Sequence, residues 1–273
     1  MKVSRGEEVA NYVILGAFSI VMLFPLMAVL LLALQPAGTS TSTMSLETLT
    51  FESFQRAWTS ADFGTYLRNS AIVSASVVVI AATLSVLTGY AFGTMRFRGS
   101  KPLFFLFLLG LIMPYEAAVI PLYYALRSVG LTNTYWALIL PQAALGLSFG
   151  TFWMRAYFRS LPPYLAEAAM LDGANRWAIL WRVMLPNAKP AITTMVLLFF
   201  MWTWNEFLLA LVMITRADLR TAPLGLAQFS GQFTSDLTAL AAGSILTALP
   251  IVVIYLIFQR SFIQGVLSGG SRE

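Results

Sequence analysis

The chain has 273 residues, of which 58% are hydrophobic and 11% are charged, and its formal net charge is +5. With a mean hydropathy of +0.76, this composition excludes an ordinary soluble domain. The absence of cysteine and histidine excludes a disulfide framework, a thiolate metal site and the usual general base of an enzyme. We therefore predict no catalytic residue and no metal site.

Long apolar stretches recur along the whole chain. A helix that crosses about 30 Å of hydrocarbon needs about 20 mostly apolar residues, and the first such stretch covers residues 9–34. It is too long for the apolar region of a secretory signal peptide, so we interpret it as an uncleaved anchor. The polar residues 35–67 that follow are predicted to form an external loop with a short helix around residues 51–58.

Five further spans are predicted, which makes the chain an all-α polytopic membrane protein with six transmembrane helices. They cover residues 68–95, 102–126, 135–158, 191–215 and 238–258. Prolines inside two of these spans can bend the helices, because each removes a backbone donor. These prolines are Pro114 and Pro121 in the third span and Pro250 in the sixth.

The distribution of basic residues sets the orientation. Twelve of the 17 Lys and Arg residues fall on the side that holds both termini, the turn at residues 96–101 and the segment 159–190. The positive-inside rule makes this side cytoplasmic. Because membrane topology accounts for the positive net charge, we expect no nucleic-acid partner.

The segment 159–190, between the fourth and fifth spans, is charged and amphipathic and is predicted to form a hairpin of two short helices. Pro162 and Pro163 suit the first turn of a helix, and Gly173 suits its C-terminal stop. Asn175 can cap the second helix, which we expect to end at Pro186. Residues at helical spacing predict one apolar face on this helix, formed by Trp177, Leu180, Trp181 and Met184. The hairpin is therefore predicted to protrude from the membrane and to bind another protein.

The hairpin contains a motif defined by residue type and by spacing along the sequence. Its residues are Glu167, Ala168, Ala169, Gly173, Val183, Leu185 and Pro186. Their spacing resembles the EAA loop of binding-protein-dependent ABC importers, whose pattern is E-A-A, three residues, G, nine residues and I-x-L-P. Val183 replaces the usual isoleucine. Other segments are similar to the carbohydrate branch of this family, namely Leu161-Pro162, Asp172-Gly173-Ala174, Trp204-Asn205-Glu206-Phe207, Pro223-Leu224-Gly225-Leu226 and Phe258-Gln259-Arg260 with Gly265. The C-terminal residues 268–273 match the family only loosely.

This resemblance implies the smaller permease subunit of a maltose-type importer, with the type-1 ABC importer transmembrane fold. It implies a single membrane domain over residues 1–273, in which residues 68–262 form the type-1 core and residues 159–190 the coupling loop. The implied partners are a second homologous permease subunit, two ATP-binding subunits, an extracytoplasmic solute-binding protein and the lipid of a bacterial or archaeal cytoplasmic membrane. The resemblance assigns contact with the ATPase to Glu167, Ala168, Ala169, Asp172, Gly173, Leu185 and Pro186.

The sequence has no phosphate-binding loop of the form G-x-x-x-x-G-K-[ST]. We therefore expect no cofactor in this chain, and ATP–Mg on the partner ATPase subunits.

Two carboxylates within the predicted spans, Glu116 and Glu206, are expected to face the bundle interior or a wet cavity, because an ionised carboxylate facing lipid is costly. We predict that they line the translocation pathway together with Tyr115, Trp204 and Asn205. The alternative is that they only form hydrogen bonds between helices.

Three alternatives for function remain open at this stage. The first is an ABC importer permease for another solute, such as glycerol phosphate. The second is a secondary transporter, which would leave the hairpin unexplained and for which the six spans show no obvious internal repeat. The third is a membrane-embedded enzyme, which would have to work without histidine, cysteine or a metal-ligand cluster.

Overall fold

The computed structural model describes residues 5–40, 43–60, 62–229 and 236–270, with the backbone alone for residues 60 and 261–270. Within these ranges every regular element is helical. The longer helices are α1 (Arg5–Ala33), α2 (Glu52–Ser60), α3 (Phe63–Thr94), α4 (Ser100–Ile112), α5 (Tyr115–Ser128), α6 (Trp136–Ser160), α7 (Tyr164–Leu171), α9 (Leu185–Trp204), α10 (Leu208–Met213) and α12 (Leu237–Gly270). Short elements are α8 (Arg176–Ile179), a π-helical segment (Leu180–Met184), α11 (Ala222–Gly225) and 3₁₀ turns at Ala217–Leu219 and Leu226–Phe229.

The predicted all-α membrane fold is confirmed. Five helices of the described chain are long and apolar enough to cross a membrane, and α4 with α5 makes a sixth span when this bent pair is counted as one. The short external helix predicted around residues 51–58 is α2, and α3 begins at Phe63, five residues before the predicted start of the second span.

The third span is broken rather than a single rod. The axes of α4 and α5 differ by 100°. The residue before a proline is pushed out of the helical region, and Met113, which precedes Pro114, has φ −66° and ψ 125°. In contrast, Pro121 and Pro250 lie inside α5 and α12, which continue past them.

The predicted boundaries of the fifth span are wrong at both ends. The second hairpin helix does not stop at Pro186, because α8, the π-helical segment and α9 form one continuous helix, Arg176–Trp204. Pro186 lies in the first turn of α9, directly after the π-helical segment. At the other end, α9 stops at Trp204 and not near residue 215. Asn205 donates its side-chain amide to the Met201 carbonyl at 2.8 Å, and a separate helix, α10, follows.

The described chain divides into two compact units, Thr65–Leu224 with Pro250–Glu273 and Met1–Gly64 with Gly225–Leu249. In the second of these, Gln35 is buried and its side chain bonds Ser45 and Thr48, while its carbonyl accepts from Ser53. Arg56 bonds Thr238 at 2.8 Å. The apolar stretch of α1 has no buried residue within the described chain, as expected for a helix that faces lipid or another subunit.

The larger unit is organised by the close crossing of α3 and α6. Small residues allow this approach, because a Cβ added to Gly150 would collide with Ser85 and one added to Gly146 would lie 3.1 Å from the Ala81 Cβ. A hydrogen bond of 2.7 Å between the hydroxyls of Thr88 and Thr151 spans the same crossing. Helix α6 also packs on α4 and α9, and α10 packs on α5 and α6.

Candidate coupling hairpin and membrane cavity

The hairpin predicted from residues 159–190 has a glycine corner between α7 and α8. Gly173 has φ +80°, donates its N–H to the Met170 carbonyl at 3.0 Å and is followed by a bond of 2.9 Å from Ala174 N–H to the Ala169 carbonyl. This pairing is the usual way a helix ends in the left-handed conformation. A Cβ on Gly173 would meet nothing within 4 Å, so the backbone angle alone demands glycine here.

The second helix of the hairpin begins with the predicted cap. The Asn175 side chain accepts a hydrogen bond of 2.9 Å from Ala178 N–H and so satisfies one of the unpaired donors of the first turn. The backbone of the hairpin and of the adjoining part of α9 is then tied to α3 and α6 by side-chain donors. These are Tyr90 to Arg176 O at 3.2 Å, Tyr157 to Asn187 O at 2.6 Å and Trp153 to Ala191 O at 3.0 Å.

The predicted apolar face of the second helix is divided between the interior and the surface. Leu180 and Met184 are buried together with Ile179, which was not part of the predicted face, whereas Trp177 and Trp181 are each 61% exposed. The π-helical segment changes the residue spacing, since Leu185 N–H bonds to Leu180 O, five residues back. Ile179, Leu180 and Met184 join a buried cluster with residues of α3 and α6 that include Tyr90, Met154 and Phe158.

Five large apolar side chains are exposed on the outer surface of the hairpin. They are Tyr164, Met170, Leu171, Trp177 and Trp181, and Leu171 next to the corner is 90% exposed. A cluster of exposed apolar side chains on a firmly anchored element is typical of a protein interaction surface.

A cavity of about 400 Å³ lies where two broken helices meet. One break separates α4 from α5, and the other separates α9 from α10. Tyr115, the first residue of α5, donates its hydroxyl to Oε2 of Glu206 at 2.7 Å, and Glu206 Oε1 accepts from Leu209 N–H at 2.7 Å at the start of α10. Both oxygens of the Glu206 side chain therefore accept a hydrogen bond.

The cavity wall combines polar and aromatic groups. Glu116, Gln142 and Thr203 line it together with Tyr115 and Glu206. Its aromatic side is built from Phe149, Phe199 and Trp202, with the rings of Phe149 and Trp202 perpendicular and 5.0 Å apart. A concave site with apolar walls and a few polar groups is the usual form of a small-molecule site.

Comparison with known proteins identifies the family. The family described as "Binding-protein-dependent transport system inner membrane component" matches residues 81–267, more than half of the chain. The chain belongs to this family. It is 32% identical over 272 residues to the diacetylchitobiose uptake system permease protein NgcG of Streptomyces coelicolor, covering 98% of this chain and 90% of that protein. It is 34% identical over 256 residues to the arabinooligosaccharides transport system permease protein AraQ of Halalkalibacterium halodurans, covering 92% and 91%.

The fold of this inner membrane component matches a solved structure. A chain in the crystal structure of a bacterial ABC transporter involved in the import of the acidic polysaccharide alginate superposes with a TM-score of 0.79 and 24% identity. The match covers 96% of this chain and 99% of that chain, so it extends to the whole membrane fold. The relatives are permease proteins, in agreement with the prediction that the chain is a transporter subunit.

The seven residues predicted to contact an ATPase lie at or near the hairpin surface of this inner membrane component. Glu167, Ala168, Asp172, Gly173 and Pro186 are exposed. Ala169 and Leu185 are partly buried and pack against the cluster that anchors the hairpin. The structure therefore places five of the residues at the surface and the other two at the base of the hairpin.

The five residues predicted to line a pathway separate into two groups. Tyr115, Glu116 and Glu206 line the same cavity. Trp204 is buried, with its ring tilted against that of Phe200 at a centroid distance of 5.3 Å, and it lines a different groove between α3, α9 and α12. Asn205 is exposed and bonds its own helix. Helical spacing explains the division, because one face of α9 carries Phe199, Trp202 and Thr203, with Glu206 one turn further, and Trp204 points elsewhere.

The sequence did not predict the other polar and aromatic residues of the cavity, which are Gln142, Phe149, Phe199, Trp202 and Thr203. The pair Pro141-Gln142 offered one signal, since an uncharged polar side chain inside the fourth span needs a partner or a wet surface. No such signal marks the aromatic residues, because phenylalanine occurs in all six predicted spans and tryptophan is common near the ends of membrane spans.

Proposed function

We propose that the chain is a permease subunit of an ATP-driven importer that moves a carbohydrate across the cytoplasmic membrane. Membership of a binding-protein-dependent transport family supports an importer that receives its solute from an extracytoplasmic binding protein. Two relatives that match more than nine-tenths of this chain belong to an uptake system for diacetylchitobiose and to a transport system for arabinooligosaccharides, which supports a carbohydrate as the solute.

The observation that carries the coupling proposal is the exposed apolar tip of the hairpin. Leu171 is 90% exposed beside the Gly173 corner, and Trp177 and Trp181 are exposed on the next helix. Burial of such side chains in a cleft of another protein stabilises the complex by roughly 25 cal/mol per Å² of apolar surface. The proposed partner is an ATPase that binds ATP–Mg, with one copy for this chain and one for a second, homologous permease subunit.

A continuous helix links the proposed ATPase contact to the cavity. Arg176–Trp204 has 29 residues, which corresponds to about 40 Å at 1.5 Å per residue. Its first residues belong to the hairpin, and Phe199, Trp202 and Thr203 near its end line the cavity. Movement of the hairpin by a closing ATPase dimer would therefore shift the cavity wall as a rigid body and alternate access to the pathway.

The proposed orientation places both termini and the hairpin in the cytosol. Lys and Arg residues are concentrated on this side, which supports the assignment through the positive-inside rule. The predicted core over residues 68–262 would then supply half of the translocation pathway, and the second permease subunit the other half.

The test of coupling uses two substitutions in the complete importer, Gly173→Asp and Glu167→Lys. We expect sugar uptake by cells to be abolished while the subunit still inserts in the membrane. Gly130→Asp is the matched control, because Gly130 also has a positive φ of +70° and open space around it, but lies in the loop after α5. Normal uptake by the hairpin variants, with the ATPase still co-purifying, would show that the hairpin is not the coupling element.

A second measurement separates this proposal from an ATP-independent transporter. The purified chain alone in proteoliposomes is expected to leave a sugar gradient intact, because it has no phosphate-binding loop and lacks its partners. Loss of the sugar gradient, or accumulation of the sugar, in proteoliposomes that contain the chain alone would overturn the proposal.

A further inference from the structure

The cavity between the two broken helices carries charge of one sign only. Glu116 and Glu206 both line it, and none of the described residues that line it is a lysine or an arginine. Glu206 accepts hydrogen bonds at both oxygens, while Glu116 lies in the first turn of α5 and is exposed. A solute in this cavity would therefore meet two carboxylates and no compensating cation.

The remaining wall suits the two kinds of surface that a sugar ring presents. Gln142 supplies an amide group and Thr203 a hydroxyl group that can bond the hydroxyls of a sugar. The Gln142 side chain donates its N–H to the Leu138 carbonyl at 2.9 Å, and its own carbonyl oxygen can accept a hydrogen bond from a sugar hydroxyl. Phe149, Phe199 and Trp202 supply aromatic surface for the apolar C–H faces of a ring.

We propose that this cavity is a saccharide contact site on the translocation pathway that admits uncharged sugars and rejects sugars that carry a carboxylate or a phosphate. The inference rests on the proposed function and adds the charge class of the solute. A cleft lined by charge of one sign repels a ligand of the same sign, which is an effective means of rejecting the wrong ligand. The similarity to an alginate importer concerns the fold, and the cavity of this chain has the opposite charge to one that would hold an acidic polysaccharide.

The charge of the cavity can be measured directly, because the chain has no native cysteine. Gln142→Cys places a single thiol in the cavity wall, and Thr59→Cys places one on an exposed face of α2 as the control. Each variant, in the assembled importer, is labelled with a cationic trimethylammonium-ethyl methanethiosulfonate and with its anionic sulfonatoethyl counterpart. The ratio of the two labelling rates then reports the local potential at each thiol.

At residue 142 we expect the cationic reagent to react faster, with a rate ratio about tenfold or more above that at residue 59, since a cleft lined by one sign of charge concentrates the opposite ion. Adding Glu116→Gln and Glu206→Gln should return the ratio to the control value. Glu116→Gln alone, which leaves the Tyr115–Glu206 bond in place, should lower the ratio in part and serves if the double substitution fails to fold. Equal ratios at residues 142 and 59, or no labelling at residue 142 by either reagent, would overturn the proposal.

Protection by sugars tests the same site for binding. Neutral diacetylchitobiose or arabinotriose at millimolar concentration should slow labelling at residue 142, and digalacturonate should not. Equal protection by digalacturonate, or no protection by any neutral sugar, contradicts the proposal. Sugar uptake by the importer that contains the unsubstituted chain reports the proposed function separately, so an importer that works while residue 142 shows no charge preference would refute only this inference.

Discussion

The hydroxyl of Tyr135 donates to Oδ1 of Asn69 at 2.7 Å, and the same Asn69 side chain donates to the carbonyls of Asp218 and Arg220, both at 2.9 Å. Asn69 has no exposed surface. One amide near the start of α3 therefore holds together the beginning of α6 and the loop that follows α10. Three segments that are distant in sequence depend on this single side chain.

Asn69→Ala is expected to destabilise the larger unit by roughly 3 kcal/mol. The substitution leaves two backbone carbonyls and a hydroxyl without their partner, and each buried unsatisfied group costs about 1–3 kcal/mol, less where water enters. Thermal unfolding of the purified chain in detergent measures the change. Tyr135→Phe, which removes one of the three bonds, should cost about 1 kcal/mol, and an equal loss in the two variants would contradict this account.

Gly150→Ala is expected to loosen the crossing of α3 and α6 and to cost about 1–3 kcal/mol, as overpacking of a tight core does. The added Cβ would collide with Ser85 and would lie 2.9 Å from the Phe199 ring. Gly16→Ala is the control, because a Cβ there meets nothing within 4 Å. Ser85→Gly in the same chain should restore part of the stability. Failure of this second substitution to help would show that Ser85 is not the obstacle.

Tyr115→Phe is expected to change the sugar uptake rate by roughly tenfold while membrane insertion is retained. The substitution removes the hydroxyl that bonds Glu206, and a hydrogen bond to a charged group contributes about 1.5–3 kcal/mol. This bond joins the two helix breaks, so its loss alters the relative stability of the closed and open cavity. Tyr124→Phe, on the exposed side of α5, is the control.

Glu206→Gln tests the same pair from the other side. Glutamine can still accept the Tyr115 hydroxyl bond, but it removes the negative charge from the cavity. We expect a slower rate or a wider range of transported sugars. An uptake rate and solute range that both match the unsubstituted importer would assign this carboxylate a purely structural role.

Leu171→Ser and Leu180→Ala should separate docking from folding in the hairpin. Leu171 is 90% exposed, so its replacement should weaken co-purification of the ATPase and reduce uptake without lowering the unfolding temperature of the chain. Leu180 is buried, so its replacement should destabilise the chain by about 2–5 kcal/mol. A fall in unfolding temperature with Leu171→Ser would place that side chain in the fold and not at an interface.

Features that depend on a few neighbouring residues were predictable from the sequence. The length of each apolar stretch indicated six spans, because the bilayer thickness sets the helix length. The left-handed corner at Gly173 and the cap at Asn175 were also predictable, since their hydrogen bonds connect residues three to five positions apart. The EAA spacing indicated the family by the same local pattern, and residues 81–267 match that family.

Features that depend on distant residues were decided by the tertiary structure. Tyr115 and Glu206 are 91 positions apart, and only the folding of α4, α5, α9 and α10 against one another brings them together. Trp177 and Trp181 were predicted to share one apolar face with Leu180 and Met184, but packing on α3 and α6 buries Leu180, Met184 and Ile179 and leaves both tryptophans exposed. Apolar periodicity shows that a helix has a buried face, whereas the neighbouring helices determine which residues fill it.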